Sequence, residues 1–273
     1  MADGTRFTDK PDYDKIEFVN EVSGRDPRLA QTIRTTKGLN FSNCITGYQP
    51  HKYIVEANLG SSAASYNDLP LFRMAEVYLN YAEAKAELGE ITQGDLDISV
   101  NKIRARAKMP NLNLIAANGS PDPYLSSAET GYANVTGANK GVILEIRRER
   151  NIELVLESQN RWWDLMRWKE GACIGQKMEG LYIPADKIGK AYDVNGDGNA
   201  DICVYSGTQP SVKENVTWFN LDTDYKLSEK GSGKIVFFSD IVRKWNEERD
   251  YFYPIPKEDI ILTGGKIEQN KGW

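Results

Sequence analysis

"GVILEIRRERNIELVLESQNRWWDLMRWKEG", residues 141–171, is the stretch on which the fold turns. It reads as a helix, a break near Ser158-Gln159-Asn160, and a second helix. On the second helix Trp162, Leu165 and Met166 share one face, with Trp168 beside Leu165 and Asp164. A sugar or base platform would be one or two rings on a loop, without aliphatic neighbours. Here Leu165 and Met166 sit between the indoles, as core packing wants, and each buried ring stabilises by roughly 3–5 kcal/mol. The stripe is therefore expected in the core, and Trp162→Ala is expected to unfold the domain. Arg161 and Asp164, at i and i+3, are placed to pair along the helix edge. Glu149, Glu153 and Glu157 step by four beside Arg147, Arg148 and Arg150. A glycosidase needs two carboxylates facing each other across a cleft, from different elements, so this run reads as helix-surface ion pairs.

Upstream, "LPLFRMAEVYLNYAEAKAELG" (69–89) places Leu71, Met74, Ala75, Tyr78, Leu79, Ala82 and Ala86 at steps of three and four, one face of a helix. Pro70 fits its first turn and Gly89 its C-terminal stop. A second helix, roughly Asp95 to Lys108, ends before Pro110 and closes an αα-hairpin. Residues 38–68 and 110–140 are rich in Gly, Ser and Asn and read as long surface loops. After Gly180 the chain is irregular, with short β-like pieces "DICVY" and "KIVFF". The closing "YPIPKEDI" carries a rigid Pro254-Pro256 pair and is expected to pack back over the helices. Ala82 behind Tyr78, with Leu88-Gly89 at the hairpin end, is loosely tetratricopeptide-like. The expected fold is mainly all-α: tetratricopeptide-like hairpins over about 70–108 and 141–171, long irregular loops, minor β, and a loop-rich 172–273, all in one domain, 1–273.

A formal net charge of −5 over 273 residues argues against binding a nucleic-acid backbone. No apolar run approaches a membrane span. A single histidine, His51, speaks against a histidine-based triad or zinc site. Cys44, Cys173 and Cys203 are far apart, without metal or redox spacing, and read as buried small hydrophobes. The opening Met1-Ala2-Asp3-Gly4 has no signal-peptide character and reads as the start of an excised domain or mature fragment.

"DVNGDGNAD" (193–201) carries the sharpest site signal. Asp193, Asn195 and Asp197 supply oxygens at the first, third and fifth positions of a calcium loop, Gly198 the turn at the sixth. The carbonyl of Asn199 follows at the seventh and Asp201 at the ninth. The twelfth position is Val204 instead of a bidentate Glu. The alternative is a solvated Asx-rich turn; four matching oxygens and the glycine tip the reading towards a structural Ca2+.

Three segments in order, "LPLFRMAEVYLNYAEAKAELG", "RRERNIELVLESQNRWWDLMRW" and "YPIPKEDI…QNKGW", together resemble the SusD/RagB family of outer-membrane nutrient-binding lipoproteins. "GRDPRL" (24–29) looks like that family's mid-chain motif. The resemblance runs from about Ser23 to Trp273 and covers the C-terminal half of such a protein, so the N-terminal half, with its lipid anchor, is expected to be absent here. Where the family usually has one residue between a Gly and the central Arg, Ser158-Gln159-Asn160 precede Arg161. The resemblance implies a helical, tetratricopeptide-based fold on the outer face of the outer membrane. It implies a SusC-like TonB-dependent transporter as partner, capture of an oligosaccharide or less often a peptide, and no catalysis. Glycan capture needs ring faces and hydroxyl-binding polar groups. Trp218 in "ENVTWFN" is the first candidate. The loop 38–68 offers Tyr48, Tyr53, Tyr66 and Asn67, with Asn43 and Gln49, and the loop 118–139 offers Tyr124 and Tyr132. The competing readings are a helical-repeat module binding protein or peptide and, more remotely, a glycoside hydrolase.

Overall fold

Two 3-10 turns, Phe7–Asp9 and Tyr13–Lys15, open the chain, and two single-turn helices, α1 (Phe18–Glu21) and α2 (Leu29–Thr32), follow. The computed structural model describes residues 1–36, 39–41, 44, 46–53, 67–158 and 160–273. The first long helix, α3 (Met74–Glu87), starts at Met74, not at Pro70. Arg73 is its N-cap and stays extended (φ −147°, ψ 156°), because its guanidinium reaches away to Glu153 and Glu157. Leu79, Ala82 and Ala86 are buried as their spacing requires, whereas Leu71 and Met74, before and at the first turn, are exposed. Gly89 (φ 75°) follows the C-cap in the left-handed conformation that glycine adopts without penalty.

The second arm of the hairpin is two helices, α4 (Gln93–Ile98) and α5 (Val100–Arg106), instead of one running from Asp95. A capping box between Thr92 and Asp95 starts α4 early. The break is Ser99 (φ −127°, ψ −96°), fully buried, whose Oγ donates to the Asp95 carbonyl at 2.5 Å. The stretch 110–140, expected as a loop, holds α6 (Leu114–Gly119) and α7 (Pro123–Ser126). Asn113 accepts from Ala116 N at the start of α6, and Asp122 accepts from Tyr124 N and Leu125 N at the start of α7. Next come α8 (Lys140–Glu153) and α9 (Asn160–Trp168). Between them Leu156 and Ser158 take left-handed backbone (φ 62° and 50°) without a glycine.

On α9 the tryptophans divide. Leu165 and Trp168 lie in the helical core, and Met166 packs against it. Trp168 also donates Nε1 to Glu83 at 2.6 Å. Trp162 is half-buried outside that cluster, its ring 6.3 Å from Trp245 of the C-terminal segment, and Trp163 is 55% exposed. The expected edge pair Arg161–Asp164 is replaced. Asp164 is buried and takes Arg150 Nε at 2.6 Å and Arg167 at 2.9 Å, while Arg161 donates to the Tyr132 hydroxyl at 2.6 Å. Charge that would cost several kcal/mol to bury alone is buried here in pairs.

The remainder is more β than expected. β1 (Met178–Ile183), β5 (Lys226–Glu229) and β6 (Ser232–Phe237) form one antiparallel sheet in the order β1-β6-β5. β2 (Ala191–Tyr192), β3 (Ile202–Tyr205) and β4 (Thr217–Asn220) form the other, β3 and β4 parallel. "DICVY" and "KIVFF" are β3 and β6. These sheets enclose a second core of Leu181, Ile183, Ile202, Val204, Phe219 and Ile235, and Phe18 of α1 plugs it. The architecture is therefore helices with small sheets beside them, each with its own core. Cys203 is fully buried, but Cys44 and Cys173 are only half-buried, and all three are free thiols. The C-terminal helix α10 (Lys257–Leu262) carries no buried residue. The final segment meets the helical body through Trp245 on Trp162 and through the Tyr251 hydroxyl, which accepts from Gly171 N at 3.0 Å. Among the described residues no helix is long and apolar enough to cross a membrane.

Candidate functional site

Glu149 and Glu153 of α8, and Glu157 just beyond it, are buried, not on a helix surface. Arg28 Nη1 donates to Glu149 at 2.6 Å and to Glu153 at 2.9 Å, and its other nitrogens hold Asp26. Arg104 takes the second oxygen of Glu149, and Arg106 and Arg73 meet Glu153. Lys52 and Arg73 close on Glu157. Burial works against the charges of Glu153 and Glu157, but hydrogen bonds led by Arg73 outweigh it and hold both carboxyls below the ordinary glutamate range. Groups kept ionised this firmly are poor proton donors. They lock "GRDPRL" onto α8 instead.

That lock builds a cavity. With Arg28 fixed, residues 1–26 fold across α5, α7 and α8 and enclose about 460 Å³, a size normal for a small-ligand site. One wall is aromatic. Phe7, Tyr13 and Tyr124 stand edge to face at centroid spacings of 6.4 and 6.2 Å, and all three are at least partly exposed. The rest of the lining is largely polar: Arg25, whose guanidinium lies over the Phe7 ring, with Asp26, Arg104, Glu145, Arg148 and Asn151. Most of these charges are spoken for. Arg148 grips Glu145 at 2.8 Å and also pairs with the buried Asp122, which Arg6 shares at 3.3 Å. Burial pushes the Glu145 carboxyl up against the pull of Arg148. Aromatic rings beside hydrogen-bonding side chains suit a sugar, apolar on one side and hydroxylated at its rim.

A second depression, about 650 Å³, lies between α3 and α9 under the exposed Trp163. It has one ring, and its charges are paired off: Glu76 with Arg150, Glu83 with Arg167, Glu87 with Arg147.

The residues singled out by the sequence scatter. Tyr48 packs on Phe18 at 6.0 Å and donates to Glu21 at 2.9 Å, so its ring belongs to the edge of the sheet core. Tyr53 is left-handed (φ 65°) and 36% exposed, with Lys52 over its ring at 5.8 Å; Asn67 Nδ2 donates to its carbonyl at 3.2 Å. Tyr53 and Asn67 are thus brought together, away from the cavity described above. Tyr66 and Asn43 lie outside the described residues. Trp218, half-buried on the edge strand β4, stands against Tyr205 at 5.8 Å. Tyr132 is core, against Trp168 at 5.5 Å, and among the described residues of the expected set only Tyr124 lines the cavity. Phe7, Tyr13 and Arg25 were missed; an apolar ring every few residues in a polar opening segment was the available signal.

The 193–201 turn turns its oxygens inward. Asp193 accepts from the amides of Gly196, Asp197 and Gly198, Asn195 from Asp197 N, Asp197 from Asn199 N, and Asp201 from Val194 N. Burial, helped by the charges of Asp193 and Asp197, pushes the Asp201 carboxyl up. Among the described residues no three or more His, Cys, Asp or Glu side chains gather as a metal set.

The sequence profile of the SusD family (SusD/RagB) matches residues 35–273. The chain belongs to the SusD family. No curated protein matches it. A solved structure to which it is similar is a SusD-like carbohydrate binding protein from Bacteroides fragilis NCTC 9343, 27% identical, with a TM-score of 0.49. The likeness covers 73% of this chain, and this chain spans 40% of that one. Phe7, Tyr13 and Arg25 precede the span that matches the SusD profile, whereas Tyr124, Glu145 and Arg148 lie inside it. The cavity of this SusD-family chain is therefore walled from both sides of residue 35.

Proposed function

We propose that this SusD-family chain captures oligosaccharides at the cell surface without catalysis, and delivers them to a SusC-like TonB-dependent transporter in the outer membrane. The observation that carries the reading is the cavity lined by the rings of Phe7, Tyr13 and Tyr124 and by the polar side chains of Glu145 and Asn151. Family membership supports the cell-surface setting and the transporter partner, and the tetratricopeptide-like character of the hairpins belongs to the same proposal. Titration calorimetry against an oligosaccharide panel tests it. Tyr13→Ala and Tyr124→Ala are each expected to weaken binding about tenfold, roughly 1.4 kcal/mol, at unchanged melting temperature. Trp218→Ala and Trp163→Ala, run alongside, decide between the cavity, the sheet edge and the α3–α9 depression. Binding of a peptide library with no glycan signal would move the chain to the protein-binding class, and new reducing ends from polysaccharide would make it a hydrolase.

A structural Ca2+ on the 193–201 turn is part of this reading, supported by the oxygen spacing and by the like charge around Asp201. The ion would have to draw Asp193 and Asp197 off the amides they accept from. Calcium heat and a raised melting temperature on adding Ca2+ to EDTA-stripped protein are expected; neither appearing removes it.

A further inference from the structure

We infer that the glycan this cavity takes carries an anionic group, a carboxylate or a sulfate, and that Arg25 is its counter-ion. The inference rests on the oligosaccharide reading above and adds the substrate class. Every other cationic side chain lining the cavity has a carboxylate of its own: Arg104 has Glu149, Arg148 has Glu145 and Asp122, Arg6 shares Asp122, and Lys234 has Glu179 at 3.4 Å. Arg25 has none among the described residues. Its guanidinium lies 4.0 Å over the Phe7 ring, and its Nη1 donates at 3.2 Å to the backbone carbonyl of Glu21. Of the two acids nearest in sequence, Asp26 pairs with Arg28, and Glu21 accepts from the Tyr48 hydroxyl and acts on Arg25 through its charge without a salt bridge. Burial lowers the Arg25 pKa and outweighs the opposing pull of Glu21.

A guanidinium in this position has a planar fork of donors left to offer, in a setting drier than bulk water. Carboxylate and sulfate oxygens match that fork, and a charge-assisted bond there is about twice as strong as a neutral one. A neutral sugar hydroxyl can accept one such bond but leaves the charge unmatched. The Phe7 ring holds the guanidinium flat and limits the rotamer freedom lost on binding. The net charge of −5 makes the local arrangement selective: an acidic glycan is repelled by the surface at large and welcomed at this wall.

The test compares matched pairs on the full chain: oligogalacturonate and oligoglucuronate against their carboxyl-reduced counterparts, and a sulfated galactan oligosaccharide against its desulfated form. Calorimetry at low salt is expected to show the anionic member of at least one pair binding about tenfold tighter or more. The pair that shows it distinguishes carboxylate from sulfate. In Arg25→Gln the ratio of anionic to neutral affinity is expected to fall to within about twofold, and Arg25→Lys should recover only part of it. Equal affinities within every pair, or a preference that survives in Arg25→Gln with a native melting temperature, overturns the inference and leaves glycan capture standing. No binding of any glycan, charged or neutral, overturns the glycan reading itself.

Discussion

Glu153 shows what a buried carboxylate does when three guanidiniums reach it. Arg28, Arg73 and Arg106 all donate to its oxygens at 2.5–2.9 Å. Its carboxyl is held below the ordinary range, so its stabilisation is complete above the unfolded pKa, about 4.3, and is lost as pH falls through the lower folded value. Glu153→Gln, leaving three cations short of one anion, is expected to cost about 3–5 kcal/mol near neutrality. The melting-temperature gap to the parent protein should be widest above pH 5 and close in more acidic buffer; a gap independent of pH would show that packing, not charge, is lost. The tryptophans of α9 separate by the same residue-level reasoning. Trp168→Ala removes a buried indole and its bond to Glu83 and is expected to cost about 3–5 kcal/mol. Trp163→Ala should change stability by no more than about 0.5 kcal/mol. Denaturant midpoints measure both.

At the scale of elements, close approach and turn chemistry decide what periodicity leaves open. Gly141, in the first turn of α8, lies against α6 so tightly that a Cβ there would run into the Ala117 carbonyl. Gly141→Ala should therefore destabilise by about 1–3 kcal/mol, although alanine is the better helix former. Between α8 and α9, Ser158 stands left-handed where a glycine would sit without strain. Ser158→Gly is expected to stabilise by about 1 kcal/mol, read as a later thermal midpoint. The sequence made α3, α8 and α9 legible because each carries apolar residues at helical spacing. It hid α6 and α7, whose starts depend on Asn113 and Asp122 as caps within a composition that also describes loops. It misplaced the start of α3 because the pull on Arg73 comes from Glu153 and Glu157, 80 and 84 residues away. The sheets were half legible: β3 and β6 are apolar runs, but β1 pairs only with distant β6.

For the whole molecule, the segment from Phe18 to Ile33 is the joint between two cores. Phe18 and Val22 pack into the sheet core, while Arg28 is tied to α8 in the helical one. The cavity hangs on the same joint, which is why it was illegible in the sequence: Arg25 lines one cavity with Glu145 and Arg148 through a fold that Arg28 ties to α8 across more than a hundred residues. Arg28→Ala should then do two things that a surface ion pair such as Lys271–Glu248 does not. It leaves Glu149 and Glu153 short of a partner, at about 3–5 kcal/mol. It also removes the bonds by which one core senses the other. Hydrogen exchange read by mass spectrometry is expected to show amides of α8 and β6 opening together in the parent protein and at separate free energies in Arg28→Ala. Glycan affinity should fall in the same variant even though it keeps all three cavity rings. A single shared opening in Arg28→Ala would mean that apolar contact alone couples the two bodies, and the joint would have to be sought elsewhere.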